Sequence, residues 1–256
     1  MIDFHSHIIP NIDDGAENIA TTLEMLKISY GEGTSCICAT PHFIPEEMEI
    51  SRSSYDILFK EVVYKKSANI KIITGLELYM SPSIPNLWDK KKIWGINDTN
   101  YLIIELPLNS YPNYADDVFY ELSIRGVKPI IAHPERNIYL QNNLSKMKDL
   151  LGKDILFQVN SGSLTGKFGE DAKNTAHDLV KRNMVHLLGS DAHGSDSRTP
   201  KIRKAFDLIK DMNLELYNWI LSNEENIING KPVLPLPIKE EEKKKTIFSF
   251  LKKKRK

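Results

Sequence analysis

Short apolar runs alternate along this chain with longer stretches whose apolar residues recur at helical spacing. The runs are four or five residues long, which is typical of buried strands. They cover residues 2–5, 35–39, 70–74, 101–105, 128–132, 156–159 and 186–189. Helical periodicity lies between several of them, at residues 18–31, 53–67, 114–125 and 171–182. Strands that alternate with helices form parallel sheets, so the pattern predicts an α/β fold.

The number of these units bears on how the sheet closes. Seven strand candidates in one chain favour a parallel βα barrel over an open sheet. Gly33, Gly126 and Gly152 follow three of the helical stretches, and we expect each to end its helix in the left-handed conformation.

Composition limits the class of protein. The chain has 256 residues and a formal net charge of zero, which suits one large α/β domain or at most two small ones and gives no nucleic-acid signature. The charge is uneven, because residues 239–256 carry nine Lys or Arg against three Glu. The body before them is therefore acidic, as expected for a site that gathers carboxylates around cations.

Cysteine usage and the N-terminus bear on location. Cys36 and Cys38 lie in a predicted buried strand, where we expect small apolar packing residues and no disulfide. The first residues lack the pattern of a signal peptide, and no apolar run approaches the length of a membrane span, about 18 residues. We therefore expect a cytoplasmic protein.

Imidazoles and carboxylates follow the predicted strands. Each taken singly has an ordinary interpretation: His42 as a loop residue, Glu105 as a charge at a strand end, Asp191 as a helix cap. The set is harder to dismiss, because a βα barrel places its chemistry at the carboxyl ends of its strands. These residue types bind Mn²⁺, Fe²⁺ or Zn²⁺, so the set predicts a multinuclear metal site. Its members are His5, His7, Asp14, His42, Glu77, Glu105, His133, Asp191 and His193.

Two arginines and one further carboxylate belong to the same predicted loops. Arg136 and Arg198 follow the segments of His133 and His193, and guanidinium groups match phosphate oxygens bidentately. We predict that both bind phosphate, with a surface ion-pair role as the alternative. Asp13 is a catalytic candidate that orients water or protonates a leaving group, and a turn before Gly15 explains it equally well.

A polar loop follows the sixth predicted strand. Residues 160–166 read "NSGSLTG". The segment has two interpretations, a set of backbone amides offered to substrate or a simple turn between a strand and a helix.

The motifs together resemble a known family. "DFHSHIIPNIDDG", "ATPH", "GLELY", "IIELP", "IIAHPER" and "GSDAH" are similar, in order, to those of the PHP (polymerase and histidinol phosphatase) family. Their spelling most resembles the manganese-dependent protein tyrosine phosphatases of the CpsB/CapC/YwqE group. The resemblance implies a distorted (βα)7 TIM-like barrel over residues 1–230. One departure is Phe43, where several relatives have a second histidine, and it puts substrate contacts in doubt rather than metal ligands.

The resemblance also implies three Mn²⁺ ions, with Fe or Zn as alternatives. One ion would take His5, His7, Glu77 and Asp191. A second would share Glu77 with Glu105 and His133, and a third would take Asp14, His42 and His193.

The function that the resemblance implies is hydrolysis of phosphotyrosine on a bacterial tyrosine kinase that regulates capsular or exopolysaccharide synthesis. Metal ions about 3.5–4 Å apart generate hydroxide near neutral pH, which can attack phosphorus in line. A tyrosine leaving group, with a pKa of about 10, departs with little protonation. No Cys-x5-Arg loop is present, so the activity would be metal-based. The alternatives are a small-molecule phosphatase such as histidinol phosphatase, and an inactive metal-stabilised binding module.

The C-terminal segment has a different composition. Residues 231–256 contain a proline-containing linker, "KPVLPLPIKEEEKKK", and a basic and aromatic tail, "TIFSFLKKKRK". The tail fits three interpretations: a solvated disordered end, an anchor to anionic lipid at the inner face of the membrane, or a docking segment for the kinase.

Overall fold

A computed structural model describes residues 1–240. Within that part the chain forms nine strands: β1 (Ile2–Ser6), β2 (Cys36–Ala39), β3 (His42–Phe43), β4 (Lys71–Thr74), β5 (Glu77–Tyr79), β6 (Tyr101–Glu105), β7 (Lys128–Ala132), β8 (Leu156–Asn160) and β9 (Leu187–Gly189). Ten α-helices accompany them there: α1 (Ile19–Gly31), α2 (Arg52–Lys65), α3 (Ile84–Asp89), α4 (Ala115–Ser123), α5 (Ile138–Gln141), α6 (Leu144–Leu151), α7 (Ser161–Leu164), α8 (Glu170–Lys181), α9 (Arg203–Met212) and α10 (Leu214–Ile228).

The strands form a curled parallel sheet. One part has the order β1-β2-β4 and the other the order β3-β5-β6-β7-β8-β9, and every pairing of strands in both is parallel. A parallel bridge between Ser6 and Ala192 brings β1 beside the end of β9. The predicted α/β class is therefore confirmed, and all seven predicted strands are present.

Two short strands were not predicted. β3 and β5 begin three residues after β2 and β4 end, and they pair with each other so that His42 lies opposite Glu77. Both residues were expected in loops beyond a strand, but each is the first residue of a new one. Strands of two and three residues are too short to leave an alternating pattern, which explains why the sequence did not reveal them.

The glycine expectations are confirmed at two positions of three. Gly33 and Gly126 adopt φ of 83° and 71°. At Gly152 the prediction was wrong, because this residue keeps a right-handed φ of −64°. The left-handed position comes two residues later at Asp154, with φ of 60°, and Asp is among the residues that tolerate it.

Alternation along the strands separates two apolar clusters. Leu102 and Ile104 of β6 belong to the cluster that packs against the helices. Tyr101 and Ile103 belong to a second cluster on the opposite face. The alternation continues to Glu105 at the end of β6, so the face that carries the second cluster becomes polar where the strand ends. Cys36 and Cys38 are buried as free thiols.

The described part of the predicted linker lies against the domain. Residues 231–240 have no regular structure, yet their carbonyl groups accept hydrogen bonds from Tyr101, Trp219 and Asn183. The basic and aromatic tail lies outside the described residues. Among the helices of residues 1–240, none combines the length and apolarity needed to cross a membrane.

A buried carboxylate ties the first strand to the last helix. Glu224 of α10 accepts a hydrogen bond from the Ile2 N–H at 2.9 Å, and its other oxygen lies 3.9 Å from the Met1 amino group. Burial raises the pKa of Glu224 to about 7. The folded chain therefore holds this proton over a pH range in which the unfolded chain has released it.

This carboxylate predicts a pH-dependent stability. As pH rises from about 4.5 to about 7, the unfolded state loses the Glu224 proton first, so the free energy of unfolding falls, by up to about 3 kcal/mol. Glu224→Gln keeps an acceptor for the Ile2 N–H and lacks this dependence of the free energy of unfolding on pH. We expect urea denaturation of the metal-free proteins to show that the free energy of unfolding of the variant, relative to that of the unsubstituted chain, rises up to pH 7 and stays constant above it. Parallel stability curves would contradict the prediction.

Candidate metal centre

All nine predicted ligand side chains meet at the carboxyl edge of the sheet. Their ligand atoms form three compact groups, each within 4.8 Å: His7, Asp14, His42 and His193; His5, His7 and Glu77; and His42, Glu77 and Glu105. Asp191 and His133 lie beside these groups, in contact with their members. Parallel strands end at one edge, which is why residues so distant in sequence converge there.

Glu77 lies at the middle of the centre. Its Oε2 is 3.2 Å from His5 Nε2, 3.3 Å from His7 Nε2 and 2.9 Å from His42 Nδ1. Its Oε1 is 3.0 Å from His133 Nε2. One buried carboxylate therefore contacts four imidazoles, which is the arrangement expected of a bridging ligand.

Asp191 connects the histidines to both arginines. Its Oδ1 lies 3.5 Å from His7 Nε2 and 2.7 Å from Arg198 Nη2. Its Oδ2 accepts a hydrogen bond from Arg136 Nη1 at 2.9 Å. Both predicted phosphate-binding side chains therefore reach the centre.

The centre reaches solvent at two of its carboxylates, Asp14 and Glu105. Asp14 is 66% exposed, and its Oδ1 lies 3.6 Å from His42 Nε2 and 3.3 Å from His193 Nε2. Glu105 is partly exposed and lies 3.7 Å from His133 Nε2. A substrate can therefore approach from the side of Asp14 and Glu105.

Three of the site residues have a backbone conformation that side chains rarely adopt. His133, Asp191 and Arg198 have φ of 32°, 52° and 46°. Such positions cost about 1–3 kcal/mol each and persist where the surroundings over-determine them. Their presence in two separate loops, after β7 and after β9, indicates that side-chain placement at this edge outweighs local backbone preference.

Opposite charges at the centre outweigh the effect of burial. Burial alone would lower the pKa of His7, but the nearby carboxylates of Asp13, Asp191 and Glu77 hold that pKa well above its usual value. Burial likewise acts against ionisation of Glu77, and the surrounding histidines hold its pKa well below the usual range. At His193, burial and then the charge of His7 lower the pKa to about 3. The pKa values of His5, His7 and His42 are all raised, so protons on these three rings balance the buried carboxylates, and bound cations would replace those protons.

The donor atoms fit a cluster of divalent metal ions. Within residues 1–240, the buried atoms Glu77 Oε2, His42 Nδ1 and His193 Nε2 have no hydrogen-bond partner. Two of them are only 2.9 Å apart without hydrogen-bond alignment, as expected of lone pairs directed at a shared cation. Imidazole nitrogen and carboxylate oxygen, without thiolate, suit Mn²⁺, Fe²⁺ or Zn²⁺.

Asp13 is fully engaged by its neighbours. Its Oδ2 accepts hydrogen bonds from His7 Nδ1 at 2.7 Å and from the His42 N–H at 2.9 Å. Its Oδ1 accepts the Gly15 N–H at 3.0 Å, which is the turn contact expected as one alternative. Burial would raise the pKa of Asp13, but these bonds hold it well below its usual range.

Sequence reasoning assigned no side-chain role to four residues around the centre. Gln158, Asn160 and Glu135 are fully buried and hydrogen-bonded beside the ligands. A signal was available for the first two, because they are polar residues two apart in a strand that is otherwise apolar. The fourth, Phe168, lies under the Arg136 guanidinium, 4.3 Å from its ring centroid, and no local pattern pointed to it.

The "NSGSLTG" segment forms a turn into a short helix. Asn160 ends β8, and α7 (Ser161–Leu164) follows at once. The segment also belongs to the centre, because the Asn160 side chain donates to Asp191.

Comparison with known proteins agrees with this geometry. The family described as "Capsular polysaccharide synthesis, CpsB/CapC" matches residues 1–229. The tyrosine-protein phosphatase YwqE of Bacillus subtilis is 33% identical over 98% of this chain and all of its own length. CapC of Staphylococcus aureus is 35% identical over 91% of each chain.

A solved structure gives the same relationship. It comes from work on YwqE of Bacillus subtilis and CpsB of Streptococcus pneumoniae, described there as metal-dependent tyrosine phosphatases, and superposes with a TM-score of 0.87 at 31% identity. It covers 95% of this chain and 100% of the other. The chain belongs to the CpsB/CapC family of capsular polysaccharide synthesis proteins.

Proposed function

We propose that this protein is a metal-dependent protein tyrosine phosphatase. Its substrate is phosphotyrosine on a bacterial tyrosine kinase that regulates capsular or exopolysaccharide synthesis. The observation that carries the proposal is the convergence of nine imidazole and carboxylate ligands with two arginines at one partly open edge. Family membership and the names of the relatives support it.

Three Mn²⁺ ions are the proposed occupants, with Fe or Zn as alternatives. The first would be held by His5, His7, Glu77 and Asp191, and a second by Glu77, Glu105 and His133. The third would be held by Asp14, His42 and His193. When bound, such ions supply a hydroxide nucleophile near neutral pH and neutralise phosphate charge.

Arg136 and Arg198 are proposed to bind the phosphate oxygens. Their guanidinium groups approach Asp191 from two loops, so a phosphate beside Asp191 would lie within their reach. Phe168 supports Arg136 from below and keeps its fork directed at the centre. Delocalised guanidinium groups stabilise the charge that develops on phosphoryl oxygens during attack.

Asp13 is proposed to act through His7. Because Oδ2 accepts the His7 Nδ1 proton, Nε2 of the same ring is left to face Glu77 and Asp191. An aryl leaving group with a pKa of about 10 needs little protonation, so a positioning role for Asp13 suffices.

The architecture is proposed to be the distorted (βα)7 barrel of the PHP fold over residues 1–230. If β2 with β3, and β4 with β5, each count as one interrupted strand, the nine strands fall into seven sequential positions. Residues 231–256 would form the linker and tail. We propose that the protein is cytoplasmic and that the tail holds it at the inner face of the membrane, near its kinase.

One assay separates this proposal from its alternatives. The purified protein is stripped with chelator, reloaded with Mn²⁺ and given a phosphotyrosine peptide or histidinol phosphate. We expect metal-dependent turnover with the peptide strongly preferred. A preference for histidinol phosphate would assign a small-molecule phosphatase, and no turnover of either would leave a metal-stabilised binding module.

A further inference from the structure

Two buried amides connect two of the proposed metal ligands. His5 Nδ1 lies 2.8 Å from Gln158 Oε1, and Gln158 Nε2 donates to Asn160 Oδ1 at 2.9 Å. Asn160 Nδ2 then donates to Asp191 Oδ2 at 2.8 Å. All four side chains are 0–1% exposed, so water does not compete for these bonds. We call the chain His5–Gln158–Asn160–Asp191 the amide relay.

The relay has one direction in which every bond is made. The carboxylate of Asp191 only accepts, so Asn160 must present its NH₂ to it and its carbonyl oxygen to Gln158. Gln158 must then donate to Asn160, which turns its own carbonyl oxygen toward His5. His5 is thereby required to carry a proton on Nδ1. Reversing either amide would set two acceptors against each other in a buried place.

The tautomer of His5 determines which of its ring nitrogens is free to bind a metal ion. With the proton on Nδ1, the neutral His5 ring has its lone pair on Nε2. This atom faces Glu77, 3.2 Å away, and Asp191, 3.8 Å away. Hydrogen bonding of the second ring nitrogen is the usual way in which proteins orient a ligating histidine.

Neighbouring residues hold the amide relay in place and leave room for it. Glu135 Oε1 accepts the Asn160 N–H at 3.0 Å and the Ser163 hydroxyl at 2.6 Å, which fixes the end of β8. Gly189 leaves the space that the relay occupies: a Cβ there would lie 2.5 Å from His5 Cβ and 2.8 Å from Gln158 Nε2.

We propose that Gln158 and Asn160 are positioning residues that fix the tautomer of His5 and the orientation of Asp191 for one shared metal ion. The proposal rests on the metal centre of the proposed function. It assigns a role to the two buried polar residues of β8 that the ligand set leaves unexplained.

The test is Mn²⁺ titration of the chelator-stripped full chain with Gln158→Leu and Gln158→Glu. Leucine removes both bonds of the relay, and we expect its tightest Mn²⁺ site to weaken roughly 10–100-fold. Glutamate keeps an acceptor for His5 Nδ1 but loses the donor to Asn160, so it should bind Mn²⁺ more tightly than the leucine variant and less tightly than the unsubstituted chain. The control is Asn213→Leu, which cuts a buried amide network to Val180 and Asn183 instead.

The outcomes are distinct. Affinity of folded Gln158→Leu equal to that of the unsubstituted chain would overturn the proposal, as would an equal loss in Asn213→Leu. If Gln158→Glu bound Mn²⁺ as weakly as Gln158→Leu, the proposed role of Gln158 in fixing the His5 tautomer would be refuted. No Mn²⁺ binding by the unsubstituted chain would contradict the metal centre itself, and with it the proposed function.

Discussion

Glu77→Gln is expected to abolish most phosphatase activity, with kcat/KM falling at least ~10³-fold, because a shared metal-bridging carboxylate contributes several kcal/mol. The structure explains the size of the effect. The carboxylate contacts His5, His7, His42 and His133, so its charge serves more than one of the proposed ions. The amide keeps the shape of the side chain and removes that charge. Steady-state rates on a phosphotyrosine peptide, with bound Mn²⁺ measured by elemental analysis, would check this.

A matched control separates charge loss at the centre from loss of a buried carboxylate in general. Glu224→Gln makes the same chemical change at a buried position between α10 and β1. It should keep activity and metal content. If Glu77→Gln retained its Mn²⁺ and its rate, the bridging role of Glu77 would be refuted.

Arg136→Met is expected to lower kcat/KM by about 10²–10³-fold, equivalent to ~3–4 kcal/mol, while metal content stays unchanged. Arg136 donates to Asp191 and stacks on Phe168, and it contributes no ligand atom to the cluster. Its loss should therefore remove phosphate binding and leave the ions in place. The kcat/KM of Arg136→Lys should lie between those of Arg136→Met and the unsubstituted chain, because lysine keeps the charge and loses the bidentate geometry.

Arg125→Met is the control for a general effect of removing an arginine. Arg125 pairs with Asp89 and Glu121 beside α4 and makes no contact with the nine ligands. Its activity should match that of the unsubstituted chain. A parallel loss of Mn²⁺ in Arg136→Met would instead assign Arg136 a structural role in the cluster.

Local pattern sufficed for the strand framework. The seven predicted strands are present within a residue or two of their expected ends, because apolar runs bounded by polar turns reflect burial directly. The two missed strands are the short β3 and β5. Their pairing depends on the neighbouring strand rather than on their own residues, so no window of sequence contains the signal.

The types of the candidate ligands and their convergence on one edge of the sheet were determined by the sequence alone, because parallel strands share one carboxyl edge whatever the details of packing; the strands that begin at His42 and Glu77 were not. Only the tertiary structure decided how those ligands are shared and supported. The central contacts of Glu77, the hold of Asp13 on His7 and the amide relay are decided by side-chain geometry. The bond from His5 to Gln158 joins residues 153 positions apart, and its direction follows from the Asp191 carboxylate at the far end of the relay. Such bonds depend on where the whole edge of the curled sheet brings its side chains together, which local periodicity does not encode.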